Sequence, residues 1–247
     1  MNLPGIYDIF HEQWSEYQEV HLISDTHFND KELFSGANRI IKDDEFVKLI
    51  NSKCGRKSVL IHLGDCGDIE YIGKLRAGLK ILILGNHDTG KSNYKREICK
   101  EYYEVEKYTK TEIIADMKEK YPGWKITISD YEMCIPSLSY TTAYYVVFAD
   151  NCLFDYVYEG ALTLGEKIIV SHEEINAPGM INIHGHDHSG RKSDERHINI
   201  CPDATGIFEP VSLNKLLKEG FTSHIKTNRR STIDNATKRA RKRGKRK

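Results

Sequence analysis

The chain predicts an α/β fold, and three observations carry that expectation. Short apolar runs of strand length recur along it, helical spacing fills the first gaps between them, and most runs stop at Gly, Asp, Asn or His. Strand–helix–strand alternation of this kind builds right-handed βαβ units around a parallel sheet.

The elements follow in order. Val20 to Ser24 reads as a first strand and Ser58 to Leu63 as a second. Between them, Asp43 to Asn51 carries Phe46, Val47 and Ile50 at helical spacing behind an acidic start. Ile69 to Leu79 reads as a second helix. Lys80 to Leu84 is apolar at nearly every position, as in a strand buried on both faces. Later, Tyr144 to Phe148, Glu166 to Val170, Met180 to Ile183 and His197 to Ile200 read as strands, which predicts a layered β core flanked by helices. Glu101 to Trp124, rich in Tyr, Lys and Glu, reads as a helical excursion or cap. Pro210 to Glu219 reads as a short helix with Val211, Leu213, Leu216 and Leu217 on its apolar side. After Gly220 the apolar pattern stops.

A length of 247 residues suits one α/β domain, placed at 1–225. With 39% hydrophobic and 29% charged residues the class is soluble and globular. The longest apolar runs fall far short of the ~20 residues that span a bilayer. Met1 to Glu12 lacks the basic region and apolar core of a signal peptide. No membrane partner is expected, and the predicted location is cytoplasmic. The six cysteines, at 54, 66, 99, 134, 152 and 201, form no C-x-x-C pair. They are expected to be small, buried, free thiols of a reducing compartment, and their spacing gives little reason to make Cys66 or Cys201 a soft ligand.

The formal net charge is zero, but its distribution is uneven. Residues 226–247 hold eleven Lys/Arg and one acid, Asp234, which leaves 25 basic and 35 acidic residues in 1–225. The segment 226–247 is therefore expected to be a basic, disordered tail. Its cations suit sequence-independent, salt-sensitive contact with nucleic acid, or else contact with the acidic body or solvent alone.

The chemistry lies where the strands end. Strand one delivers Asp25 and His27; strand two delivers Asp65, within Gly64-Asp65-Cys66-Gly67-Asp68. Strand three delivers Asn86 and His87, within Gly85-Asn86-His87-Asp88. The strand at 166–170 delivers His172, and the next delivers His186 and His188 behind Gly185. In open α/β sheets, sites form beyond the carboxyl ends of strands. Carboxylate, amide oxygen and imidazole together suit Mn²⁺, Fe, Zn²⁺ or Ni²⁺. Two such ions about 3.5–4 Å apart clamp the attacking and leaving oxygens of an in-line phosphoryl displacement.

Each fragment alone is weak, since Asp-x-His and Gly-Asp also serve ordinary turns. Five fragments in this order, each behind a strand, are what make the pattern specific. Other residues do not earn a role. His62 sits within a strand and reads as structural, and His184 as packed near the site. His21, His197 and His224 lack supporting spacing. Arg191 and Lys192 read as a solvated loop, and the tyrosines at 140, 144, 145, 156 and 158 as sheet-packing residues.

Taken together, these motifs resemble the calcineurin-like metallophosphoesterases, whose pattern D-x-H, G-D-x-x-D, G-N-H-[DE], H, G-H-x-H is present over most of residues 20–220. The resemblance implies a four-layer α/β/β/α sandwich and looks closest to the small bacterial and phage members. It implies one divalent ion on Asp25, His27, Asp65 and His188, and a second on Asn86, His172 and His186, with Asp65 shared. It further implies that His87 handles the leaving group or transition state, that Asp88 orients His87, and that Asp68 acts one layer behind the ligands. The expected activity is hydrolysis of a phosphate ester, favouring nucleotide or nucleic-acid diesters because of the tail, with manganese as the first-choice metal. A phosphomonoesterase is the alternative, followed by a non-catalytic scaffold associated with nucleic acid.

Overall fold

The computed structural model describes residues 19–31, 39, 41–129, 133–137, 140–165, 167–189 and 193–218. The basic segment 226–247, with Arg191 and Lys192, lies outside the described residues.

In chain order the first half contains β1 (Glu19–Ile23), α1 (Asp43–Lys53), β2 (Ser58–His62), α2 (Ile69–Gly73) and β3 (Leu79–Ile83). Next come β4 (Ile98–Glu104), α3 (Lys110–Lys120), β5 (Lys125–Ile128), β6 (Met133–Ser137) and β7 (Tyr140–Asp150). The second half adds β8 (Tyr156–Tyr158), β9 (Leu162–Leu164), β10 (Ile168–Val170), β11 (Ile181–His184) and β12 (His197–Asn199). It ends with α4 (Pro202–Thr205), β13 (Val211–Ser212) and α5 (Leu213–Lys218).

One sheet runs β13-β1-β2-β3-β8, parallel except for β13. A second runs β12-β11-β10-β9, parallel except for β9. Residues on alternate positions explain how the sheets stack. Val20, Leu22, Val59, Ile61, Ile81 and Ile83 of the first sheet share one core with Ile168, Val170, Ile181, Ile183 and Ile198 of the second. The opposite face of the first sheet gives Ile23, Leu60 and Leu82 to a second core with Phe46, Val47 and Ile50 of α1 and Ile72 of α2. Each such aliphatic side chain contributes roughly 1.5–3 kcal/mol by leaving water. Three layers (helix, sheet, sheet) are thus built by period-2 and period-3.6 patterning.

Register then places the loops. Ile23 lies opposite His62 and His62 opposite Leu82, so β1, β2 and β3 end together at one edge. Val170 lies opposite Ile183, so β10 and β11 end together too.

Three expectations need correction. The helix expected at 69–79 stops at Gly73, and the chain then extends into β3, with the Gly78 amide donating to Ser58 O at 2.9 Å. Within 101–124 only 110–120 is helical, and residues 101–104 belong to β4. Burial alternates along that strand, with Tyr103 inside and Tyr102 outside, which is strand periodicity beneath a helix-like composition. At 210–219 the helix begins only at Leu213, because Val211 and Ser212 pair antiparallel with Leu22 and His21.

Tyr144 to Phe148 is strand as expected, but it lies in a third sheet. There β7 pairs with β4, β5 and β6, and one face packs Val147, Ala149 and Tyr103 against Ile113 and Met117 of α3.

Candidate metal centre

The loops after β1 and β2 are stitched together by main-chain bonds. Asp25 N donates to Gly64 O at 2.9 Å, His27 N to Asp65 O at 3.0 Å and Phe28 N to Cys66 O at 3.1 Å. Gly185 N reaches His172 O at 3.0 Å, tying the loops of the second sheet in the same way. The bonds force unusual backbone on four of the expected ligands. Asp25, His27, Asp65 and His186 have φ of 49°, 41°, 54° and 67°. Non-glycine residues at positive φ are held there by surrounding structure and cluster at functional sites.

Two glycines are required by close approach. A Cβ on Gly85 would overlap the Asp65 carboxylate, and a Cβ on Gly185 would overlap that of Asp25. Main-chain amides hold both carboxylates in place. His186 N donates to the two Asp25 oxygens at 3.1 and 3.0 Å, and His87 N to Asp65 Oδ1 at 2.8 Å.

All seven expected ligands come together. Asp25, His27 and Asp65 form one buried group of candidate donors; Asp65, His172 and His186 form another, and Asp25 and His188 a third with Cys201. Asn86 Oδ1 lies 2.8 Å from His172 Nε2 and 3.0 Å from His186 Nδ1. Asp65 Oδ2 is 3.5 Å from His27 Nε2 and 3.3 Å from His172 Nε2, so its carboxylate faces both halves of the cluster.

The donor chemistry fits bound cations. His172 Nδ1 lies 2.8 Å from Leu63 O, a group that can only accept, so Nδ1 carries the hydrogen. In the neutral ring the Nε2 lone pair then faces the Asn86 and Asp65 oxygens, which are acceptors as well. His188 Nδ1 likewise donates to Asp203 at 2.8 Å and turns Nε2 toward Asp25 Oδ1 at 3.7 Å. Among the described residues, the buried His27 Nε2 has no hydrogen-bond partner. Lone pairs converging on shared points call for positive charge.

Titration points the same way. Burial works to raise the Asp65 carboxyl, but bonds from His172 and the His87 amide outweigh it and lower its pKa to about 2. Burial opposes charge on His172, yet Asp65 carries its pKa above the ordinary value. For His188 the Asp203 hydrogen bond raises the pKa over the burial penalty. Burial dominates at His27 and pushes it down. Protons on His172 and His188 occupy places a divalent ion would take, and metal binding at such sites releases them.

The other expected residues are placed as follows. His87 is exposed at the rim, its ring 5.3 Å from that of His27 in an edge-on arrangement. Asp88 accepts from the amides of Asp65 at 2.9 Å, Cys66 at 3.0 Å and Gly85 at 2.8 Å. Asp88 thereby clamps the loops that carry Asp65 and Asn86. Asp68 caps α2 through Glu70 N at 2.9 Å and accepts from Asn29 Nδ2 at 2.9 Å, bracing the turn after His27.

His62 is structural, as expected. Its Nδ1 accepts from Gly64 N at 3.2 Å, leaving Nε2 to donate to Thr26 Oγ1 at 2.9 Å, and Thr26 donates to Cys66 O at 2.8 Å. His184 is buried, with its ring on Gly185 O at 2.9 Å.

Sequence reasoning missed Asp203 and Arg39. Buried Arg39 donates to Asp203, to Asp25 O and to Thr26 O, while Asp203 holds His188. Asp203 stands directly behind Pro202 at the start of α4, a local signal for a capping acid but none for a link to His188. The described cysteines 54, 66, 99, 152 and 201 are free thiols.

Comparison with known proteins adds one family. The model of the calcineurin-like phosphoesterases matches residues 19–199. No curated protein matches the chain. Among solved structures, the protein of unknown function AQ665 from Aquifex aeolicus aligns with a TM-score of 0.48 and 18% identity, covering 81% of this chain and 98% of its own.

Proposed function

We propose, from the premise that this chain belongs to the calcineurin-like phosphoesterase family, that it is a two-metal hydrolase of phosphate esters with a preference for diesters of nucleotide type. The observation carrying this reading is the convergence of imidazole, amide and carboxylate lone pairs around Asp65. One ion is assigned to Asp25, His27, Asp65 and His188, and the other to Asp65, Asn86, His172 and His186. Manganese is the expected ion, with iron, zinc or nickel as alternatives. When bound, such ions supply Lewis-acid charge and make water acidic enough to attack near neutral pH.

The chain's own residues do the rest. His188 and His172 are held by Asp203 and Leu63 O, so neither ring has to be reoriented to present Nε2. His87, exposed beside His27, is positioned to give a proton to the leaving oxygen. Asp88 keeps the loops bearing Asp65 and Asn86 at fixed separation. The preference for diesters rests on the basic 226–247 segment, as does the expected nucleic-acid contact. Among the described residues no helix is long and apolar enough to cross a membrane. The family reading also carries a fourth, helical layer on the outer face of the second sheet.

The test compares turnover of bis-p-nitrophenyl phosphate and p-nitrophenyl phosphate with each metal in turn. Faster diester turnover that vanishes with chelator is expected. Turnover of the monoester alone turns the reading to a phosphomonoesterase, and turnover of neither ester with any of the four metals overturns it.

A further inference from the structure

The metal centre occupies the edge where β1, β2 and β3 end, and a separate cavity of about 610 Å³ opens where β2 and β3 begin. Lys80 lies at its floor near the start of β3, whereas Asn86 follows the end of that strand. We propose that this cavity is a second, metal-independent binding site for a compact polyanion, namely a di- or triphosphate chain.

Six cations line it: Arg56, Lys74, Arg76, Lys80, Arg96 and Lys125. Its two carboxylates, Asp150 and Asp155, are both engaged by Arg96, at 2.6 and 2.7 Å. Asp155 also accepts from the Lys80 amide at 2.8 Å. The buried Lys80 ammonium is met by the carbonyls of Leu75 and Cys152, not by a carboxylate. Two cations and two carboxylates therefore give a floor with no net charge, and four cations remain at the rim. Lys74 reaches Asp44 at 3.7 Å, but no ion pair among the described residues engages Arg56, Arg76 or Lys125.

Geometry decides the class of ligand. The rim cations come from three separate segments: the turn before β2, the turn after α2 and the first residue of β5. They converge on one pocket, whereas a nucleic-acid backbone is tracked by cations spread along its length. The volume falls within the ~300–1,000 Å³ of small-molecule sites. Arginine forks pair with phosphate in bidentate fashion, and four rim charges match a multiply charged anion better than a single carboxylate.

The inference is independent of the catalytic reading, and its test keeps the two apart. Tripolyphosphate is titrated calorimetrically into the full chain, stripped of metal by EDTA, at physiological ionic strength. Saturable binding is expected, weakened about tenfold or more by Arg56→Ala with Arg76→Ala and again by Lys125→Ala. The exposed pair Lys48→Ala with Lys118→Ala should leave affinity and p-nitrophenyl phosphate turnover unchanged. ATP binding more tightly than tripolyphosphate would mean that the base is seated as well; equal affinity would mean that the phosphate chain suffices, and either result supports the site. Three results overturn it: no binding without metal, binding unchanged by the arginine substitutions, or stronger displacement by duplex DNA at equal phosphate concentration.

Discussion

His188 Nδ1 donates to Asp203 Oδ2 at 2.8 Å, and that one bond fixes which nitrogen of His188 faces Asp25. Asp203 is fixed in turn by buried Arg39, whose guanidinium also reaches the main-chain oxygens of Asp25 and Thr26. The chain of contacts joins a residue after β12 to the loop after β1. Against the cost of burial, the bonds from His188 and Arg39 hold the Asp203 pKa at about 2, so the carboxylate is charged at neutral pH.

Asp203→Asn therefore tests whether this orientation matters for metal binding. The amide keeps the shape but loses the charge that anchors both His188 and Arg39. Metal affinity at the His188 position should fall about 10–100-fold, while the other ion is retained. Elemental analysis after dialysis against graded metal concentrations reads this directly, and unchanged affinity for both ions would show that His188 needs no such anchor.

Asp65 faces both halves of the cluster, whereas Asn86 contacts the His172 and His186 side. Asp65→Asn is expected to weaken occupancy of both ions, and Asn86→Ala mainly of one. Metal-to-protein ratios near one for both variants would contradict the shared role of Asp65.

His87 contributes its amide to Asp65 through main chain, which survives truncation of its ring. His87→Ala should then keep its metal while hydrolysis falls by ~10²–10⁴-fold. The measurement is kcat alongside metal content; full metal with full activity would remove His87 from the chemistry.

What could be read in the sequence depended on whether the physics was local. The candidate ligands were legible as one cluster because each follows an apolar run whose end is also the sheet edge, as with Ile83 before Gly85-Asn86-His87. Arg39 and Asp203 were not, because their partnership spans 164 positions and nothing beside either residue in sequence points to the other. The strand at 98–104 was hidden by composition: Lys, Glu and Tyr suit an exposed helix, and the pairing partner that selects the strand, β7, lies some 40 residues on. Asp88 was legible as a site residue but not in its contacts, since its three amide partners come from two different loops.

His62 links the two central loops and should give the protein an acid-sensitive stability. Burial is the main cause holding its pKa down to about 4, from an ordinary 6.5. Above pH 6.5 both folded and unfolded forms of this residue are neutral, and the full stabilisation is present. As pH falls from 6.5 toward 4, the unfolded chain binds a proton that the folded chain refuses. Stability should then fall by up to about 1.4 kcal/mol per pH unit across that window, and level off below it as the folded form protonates too. Protonation at Nδ1 would also replace the acceptor that Gly64 N uses, loosening the turn before Asp65. His62→Gln cannot titrate, so denaturant unfolding in EDTA should give a flatter pH profile for the variant, whatever its stability at pH 8. Parallel profiles for the two proteins between pH 4 and 6.5 would mean that His62 is not buried in its neutral form.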